Sequence, residues 1–295
     1  MDGKLWAQVY QTVMTMDHTE SKRRAQFSDR VIALMVLRAS YDERPLSWSC
    51  RPENWIGLSR PACLPSQSTA SRRSRTEGVR ALLKAVENWL EQRAPQIDRT
   101  LAVDGRPLTI SPFSKDPDAR WGYAIRGLGF GYKLHAIWGT GAVPLAWDLL
   151  PLNASEARVA AAALVPHLPV ATGKRYLLGD ASYDTNALYA AAAAQGFQLL
   201  SPPKNPGKGL GHRVHHPARI RGLEMLRTAY GKRQYRKRTV IERQYGNATM
   251  RDEGLGTLPA HVRRLPRVKL YVQAKLILNG FRILANRKLS LSPAA

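Results

Sequence analysis

Tyr176-Leu177-Leu178-Gly179-Asp180 is a short apolar run that ends on an acid, and Thr100-Leu101-Ala102-Val103-Asp104 has the same form earlier in the chain. Runs of this length read as buried strands, so each acid is expected at a strand's carboxyl end. Each is followed by a small residue, Gly105 or Ala181, where a substrate backbone could approach. Tyr132 to Trp138 and Ala142 to Leu150 read as two further strands, turned into a hairpin by Gly139-Thr140-Gly141. Asn153 and Glu156 form a capping box that opens an alanine-rich helix to about His167. Thr185 to Gln195 is a helix closed by Gly196, and Phe197 to Leu200 a strand stopped by Pro202 and Pro203.

Upstream, residues 1–95 read as helical. Ser28 precedes the apolar Val31, Ile32, Leu34, Met35 and Leu37, and the prolines at 45, 52, 61 and 65 mark a loop over 41–65. Ser66 N-caps a short segment ending in Arg72 and Arg73, readable either as a helix-turn-helix recognition element or as a solvated basic loop. Val79, Leu82, Leu83, Val86 and Leu90 make an amphipathic helix that Pro95 ends. Downstream, 201–233 reads as a basic insertion with little core. Its His212, His215 and His216 read as solvated residues before a metal cluster. Residues 234–250 are expected to be helical, and so is Arg263 to Leu284, with Val268, Val272, Leu276 and Ile283 on its apolar face.

The chain has 45 Lys and Arg against 22 Asp and Glu, a net charge of +23. Such an excess favours nucleic acid over small acidic substrates. From Thr185 to Ala295 there are 21 Lys and Arg but four acids: Glu224, Glu242, Asp252 and Glu253. With 44% apolar residues the chain can build a core, and no apolar run approaches the ~18–20 residues of a membrane span. Without a signal pattern the expected location is the cytoplasm. Cys50 and Cys63 have no CxxC partner, which speaks against zinc.

Among the four acids Glu242 stands out. Tyr235, Arg238 and Glu242 are spaced i, i+3, i+7, so one helical face presents a phenol, a guanidinium and a carboxylate. The plain alternative is an exposed Arg238–Glu242 pair worth ~0.3–0.5 kcal/mol. Two strand-end aspartates elsewhere tilt the reading toward a site.

These residues carry a resemblance. The chain resembles a bacterial insertion-sequence DDE transposase of the group marked by Tyr-x2-Arg-x3-Glu-x6-Lys. Tyr235, Arg238 and Glu242 match, and Thr249 departs from the final lysine, with Arg251 the nearest basic residue. Gly131-Tyr132-Lys133-Leu134-His135, Pro144-Leu145-Ala146 and Leu178 to Asp184 resemble the same catalytic core. The strand–strand–strand–helix–strand–helix–strand–helix order is similar to an RNase H-like α/β core, a mixed sheet flanked by helices, over 96–288. A small all-α DNA-binding region, 1–95, precedes it.

The resemblance implies cut-and-paste chemistry on double-stranded DNA, with the protein a dimer when assembled on it and the bacterial nucleoid as its place. It implies two Mg2+ or Mn2+ ions held by Asp104, Asp180 and Glu242. Tyr235, Arg238, Lys133, Arg72 and Arg73 would contact DNA. Related transposases stack a flipped base on a tryptophan before the glutamate, but all seven tryptophans here lie at or before Trp147, leaving Tyr230 as a substitute. Two other readings stay open: an RNase H-like nuclease or resolvase without strand transfer, and a non-catalytic transposase-derived DNA-binding protein.

Overall fold

The computed structural model describes residues 3–19, 26–55, 59–95, 99–209, 212, 214–239, 255 and 257–291. The chain divides into two compact units, 1–95 with 250–295, and 96–249.

The first unit is helical: α1 Gly3–Thr15, α2 Asp29–Tyr41, α3 Gln67–Arg73 and α4 Glu77–Arg93. Ser28 caps α2 as its position predicts, its side chain accepting from the Val31 N–H. α2 is buried almost throughout, and α4 buries Val79, Leu82, Leu83, Val86 and Leu90, the stripe set by their spacing. A C-terminal helix, Leu265–Leu291, packs on α1, α2 and α4. It therefore groups with the N-terminal helices, although its sequence position follows the strands. Val268, Val272 and Leu276 are buried on it, and Phe281 takes the place expected for Ile283.

At the start of α2, Asp29 is fully buried and its carboxylate accepts from Arg73 Nη2 at 2.6 Å. His18 Nε2 lies 3.3 Å from its other oxygen. Arg73, expected to face DNA, is thus itself buried, because Asp29 sits inside the helical core and needs a counter-charge. Arg72, one position earlier, is exposed.

The second unit is built on a six-stranded mixed sheet in the order β2-β3-β1-β5-β6, with β4 paired to β3. The strands are β1 Thr100–Ile110, β2 Arg120–Ala124, β3 Gly127–Trp138, β4 Ala146–Pro151, β5 Arg175–Leu178 and β6 Phe197–Leu200. β1 runs antiparallel to β3 and parallel to β5, and β5 runs parallel to β6. The β3–β4 hairpin forms, but β4 begins at Ala146 and not at Ala142, so the connection runs over 139–145. This is the RNase H-like α/β arrangement. Leu101, Val103, Leu177 and Leu199 share a core with the helical segments over 156–167 and 186–194.

Three expectations change. β1 continues past Asp104 to Ile110, because its later half is held by β3, so Asp104 stands inside a strand and not at its end. The helix α5 Glu156–Val159, prolonged by a wide π turn and a 3-10 turn to His167, starts after Ser155, with no side-chain cap. The capping box at Asn153 does not form, and Glu156 is used elsewhere. Finally, α6 Asn186–Ala194 is followed within the supposed insertion by α7 Pro217–Arg227 and α8 Ala229–Arg236. Gly222 lets α7 lie close on β6: a Cβ there would be 2.6 Å from the Leu199 carbonyl oxygen.

The buried Asp29–Arg73 pair gives a direct prediction. Asp29→Ala leaves a guanidinium without its carboxylate, which costs about 3 kcal/mol or more in a buried pair. Denaturant unfolding of the full chain should show that loss, and a loss below about 1 kcal/mol would contradict the assignment.

Candidate active site

The parallel ladder of β1 and β5 ends with Ala102 opposite Leu178. Two residues beyond on each chain segment stands an acid. Because side chains alternate along a strand, this register brings Asp104 and Asp180 level. β5 ends at Leu178, and Asp180 becomes the cap of a single 3-10 turn, Ala181–Tyr183. Asp180 Oδ1 accepts from the Ser182 N–H at 2.7 Å and from Ser182 Oγ at 2.5 Å. Its main-chain carbonyl accepts from Ser201 Oγ at 2.5 Å. Asp104 Oδ1 accepts from the N–H of Gly105 at 2.9 Å.

Asp104 sits in an uncomfortable electrostatic setting. Burial pushes the Asp104 carboxyl up from 3.8 to about 6, and Asp180 and Glu156 push in the same direction. The Gly105 N–H and the Arg238 guanidinium oppose them. Bringing carboxylates together out of water disfavours ionisation, and a nearby cation reverses that.

Glu156 is the residue that sequence reading missed here. Its Oε1 takes Lys133 Nζ at 2.6 Å, and its Oε2 lies 3.2 Å from Ser182 Oγ, whose one proton goes to Asp180 over the shorter 2.5 Å contact. Ser182 thereby stands between Glu156 and Asp180. Gly105 makes room for this chain: a Cβ there would lie 3.0 Å from Glu156 Cδ and 3.1 Å from Lys133 Cδ. The missing side chain is thus filled by protein. Lys133, expected on DNA, is buried against Glu156. Nothing local in the sequence signals the Lys133–Glu156 link, which joins a strand to a helix start.

Next to them His135 is almost wholly buried, and burial pushes its imidazole down to about 4, so it is neutral near pH 7.

Tyr235 and Arg238 do come to the acids. The Tyr235 hydroxyl donates to the Gly179 carbonyl at 3.2 Å, one residue before Asp180. Arg238 Nη1 donates to the Tyr235 hydroxyl at 3.0 Å. They are not on one unbroken helix, since α8 ends at Arg236 and Lys237 forms a turn. Glu242, Thr249, Arg251, Asp252 and Glu253 lie outside the described residues. Among the described residues no group of three or more His, Cys, Asp or Glu is gathered as a metal set.

Other residues singled out by sequence are accounted for nearby. His216 caps α7, its Nδ1 accepting from the Ala218 N–H at 3.2 Å, and His215 Nδ1 meets Arg219 Nη1 at 2.7 Å. Tyr230 is hydrogen-bonded to the Tyr176 hydroxyl at 3.0 Å, with the Arg233 guanidinium 5.4 Å from its ring centre. Asp184, at the end of the segment that resembles the catalytic core, is buried and holds Arg219 through two bonds of 2.7 Å.

Compared with known families, residues 95–278 match the model of a transposase DDE domain. A search of curated proteins gives no match.

The strained carboxyl of Asp104 has a measurable consequence. The folded chain keeps this proton up to about pH 6, whereas the unfolded carboxyl releases it near 4. Ionisation therefore costs stability as pH rises through that window. In metal-chelated buffer Asp104→Asn should be more stable than wild type above pH 6, by at most about 3 kcal/mol. The gain should shrink toward pH 4 and vanish below it. His135 titrates in the opposite sense in both proteins and cancels from the difference. An Asn variant that is less stable at pH 7 would contradict the electrostatics.

Proposed function

The chain belongs to the family of DDE-domain transposases, and on that footing we propose that it cleaves DNA at the ends of its element and joins them to target DNA. The observation that carries this reading is the levelled pair Asp104 and Asp180, one of them desolvated enough to resist its own charge. Carboxylate oxygens on adjacent segments suit a hard divalent cation, which would lift the penalty on their ionisation. Asp104, Asp180 and Glu242 are assigned as the ligands of two ions, Mg2+ or Mn2+. Such ions supply Lewis acidity at the attacking and leaving oxygens of an in-line displacement.

Ser182 keeps Asp180 in place through the bond at 2.5 Å, and Glu156 stands behind it, 3.2 Å from the same hydroxyl. Lys133 neutralises Glu156 and is a positioning residue in this reading. Tyr235 and Arg238 stand beside the acids, and Arg238 is assigned to grip the phosphate there. In the first step a water oxygen attacks phosphorus and the P–O3′ bond breaks, leaving a 3′-hydroxyl on the element. In the second, that hydroxyl attacks a target phosphodiester. A new P–O bond forms, and the displaced target 3′-oxygen leaves with a proton. One bond replaces another, so no outside energy source is needed. The exposed Arg72 belongs to the DNA-contacting surface of the helical unit, and double-stranded DNA is the partner, engaged by a dimer of this chain.

The test is separate neutralisation of the three acids: Asp104→Asn, Asp180→Asn and Glu242→Gln. Each should lower cleavage and strand transfer together by at least about a thousandfold, some 4 kcal/mol of barrier. Binding to an element-end duplex should persist or tighten, since a negative charge facing phosphate is gone. Near wild-type cleavage by any of the three removes that residue from the ligand set. Loss of joining with cleavage intact would favour the nuclease reading.

A further inference from the structure

The helical unit contains a cavity of about 270 Å³ between α2, α3 and the start of the C-terminal helix. Its floor is apolar, formed by Val36, Leu46, Val262 and Leu270, whereas Arg44, Arg75 and Arg267 line it as well. All three arginines are exposed. Arg75 is oriented by its Nε donating to the Ser71 carbonyl at 3.1 Å, and Ser71 also lines the space. His261 joins them and is hydrogen-bonded to the Arg44 main chain. Among the described residues no carboxylate pairs with these arginines. Glu43, beside Arg44 in sequence, is taken up by Lys275 at 2.8 Å and by the Tyr271 hydroxyl at 3.3 Å.

Three arginines that no acid among the described residues neutralises, set around an apolar hollow, ask for a ligand with an anionic group and a flat apolar body. The volume lies just below the roughly 300 Å³ at which small-molecule sites begin. Guanidinium forks match phosphate oxygens in pairs, and aromatic bases are stabilised against apolar surfaces. We propose that this cavity is a nucleotide-binding site, with the phosphate on Arg44, Arg75 and Arg267 and the base against Val36, Leu46 and Leu270. The nucleotide belongs either to the DNA chain, as an unstacked or terminal unit, or to a free mononucleotide. The site lies wholly in the helical unit and is independent of Asp104 and Asp180. A failed assignment there leaves this one standing, and the reverse holds.

The experiment uses the full chain and the paired variant R44Q/R267Q, both positions being exposed. A second variant, Ser71→Glu, puts a carboxylate into the cavity without touching the arginines. Deoxyadenosine monophosphate, adenosine and a duplex with a short single-stranded end are the probes. Deoxyadenosine monophosphate should bind wild type at least tenfold tighter than adenosine, and both variants should lose that preference. If DNA is the source, R44Q/R267Q should also bind the duplex at least tenfold more weakly at 100 mM salt. The slope of its log affinity against log salt should fall by about 2. If the free nucleotide is the source, duplex binding stays unchanged while the mononucleotide is lost. Equal affinity for adenosine and its monophosphate, or wild-type binding of both the monophosphate and the duplex by the two variants, would overturn the proposal.

Discussion

Three rungs of parallel ladder, Thr100 to Tyr176, Leu101 to Leu177 and Ala102 to Leu178, decide where the acids stand. The residues around these rungs are apolar and buried, so burial fixes the register. A slip of one residue would break the close packing of these side chains on both faces of the sheet. The acids two positions later have no say in it. They are carried to the same level by a core that is indifferent to their repulsion, and the cost appears as the raised carboxyl of Asp104. Apolar burial, worth roughly 25 cal/mol for each Å² removed from water, outweighs that local strain many times over.

The surroundings of the pair show how the rest of the charge is managed. Asp180 accepts two bonds from Ser182 at one oxygen, and Glu156 is matched by Lys133. Arg238 acts on Asp104 from a segment that Tyr235 ties to Gly179. Asp184 is locked to Arg219 instead of joining the site. In so basic a chain, then, most of the acids described near the pair already have a partner. At Asp104 the neighbouring N–H and the Arg238 guanidinium act against burial and two carboxylates, and burial is the largest of these influences.

Much of this was legible in the sequence, for identifiable reasons. The strands holding Leu101 and Leu177 declare themselves because a strand buried on both faces must be apolar throughout, and the acids at 104 and 180 interrupt that pattern. Ser28 and Thr185 marked where two helices begin, and the structure makes both of them caps, their hydroxyls acting locally within three residues. What escaped was non-local. Glu156 looks like half of a capping box until Lys133, brought in by β3, claims its carboxylate. Arg73 looks like a groove-facing arginine until Asp29, 44 positions earlier in the chain, turns it inward. α7 was hidden because Pro217, Gly222 and the flanking histidines read as loop, whereas proline suits a helix's first turn and the glycine permits close packing on β6.

The central claim is that the levelled acids form a divalent-cation site. It is tested most directly by thermal unfolding of wild type, Asp104→Asn and Asp180→Asn at pH 7, with millimolar Mn2+ against chelator and without DNA. A cation bound only by the folded chain stabilises it by mass action. The wild-type melting temperature should therefore rise on adding Mn2+, and the rise should be lost in both variants even though Asp104→Asn starts higher in chelator. Equal Mn2+ responses in all three proteins would contradict the assignment of Asp104 and Asp180 as the site.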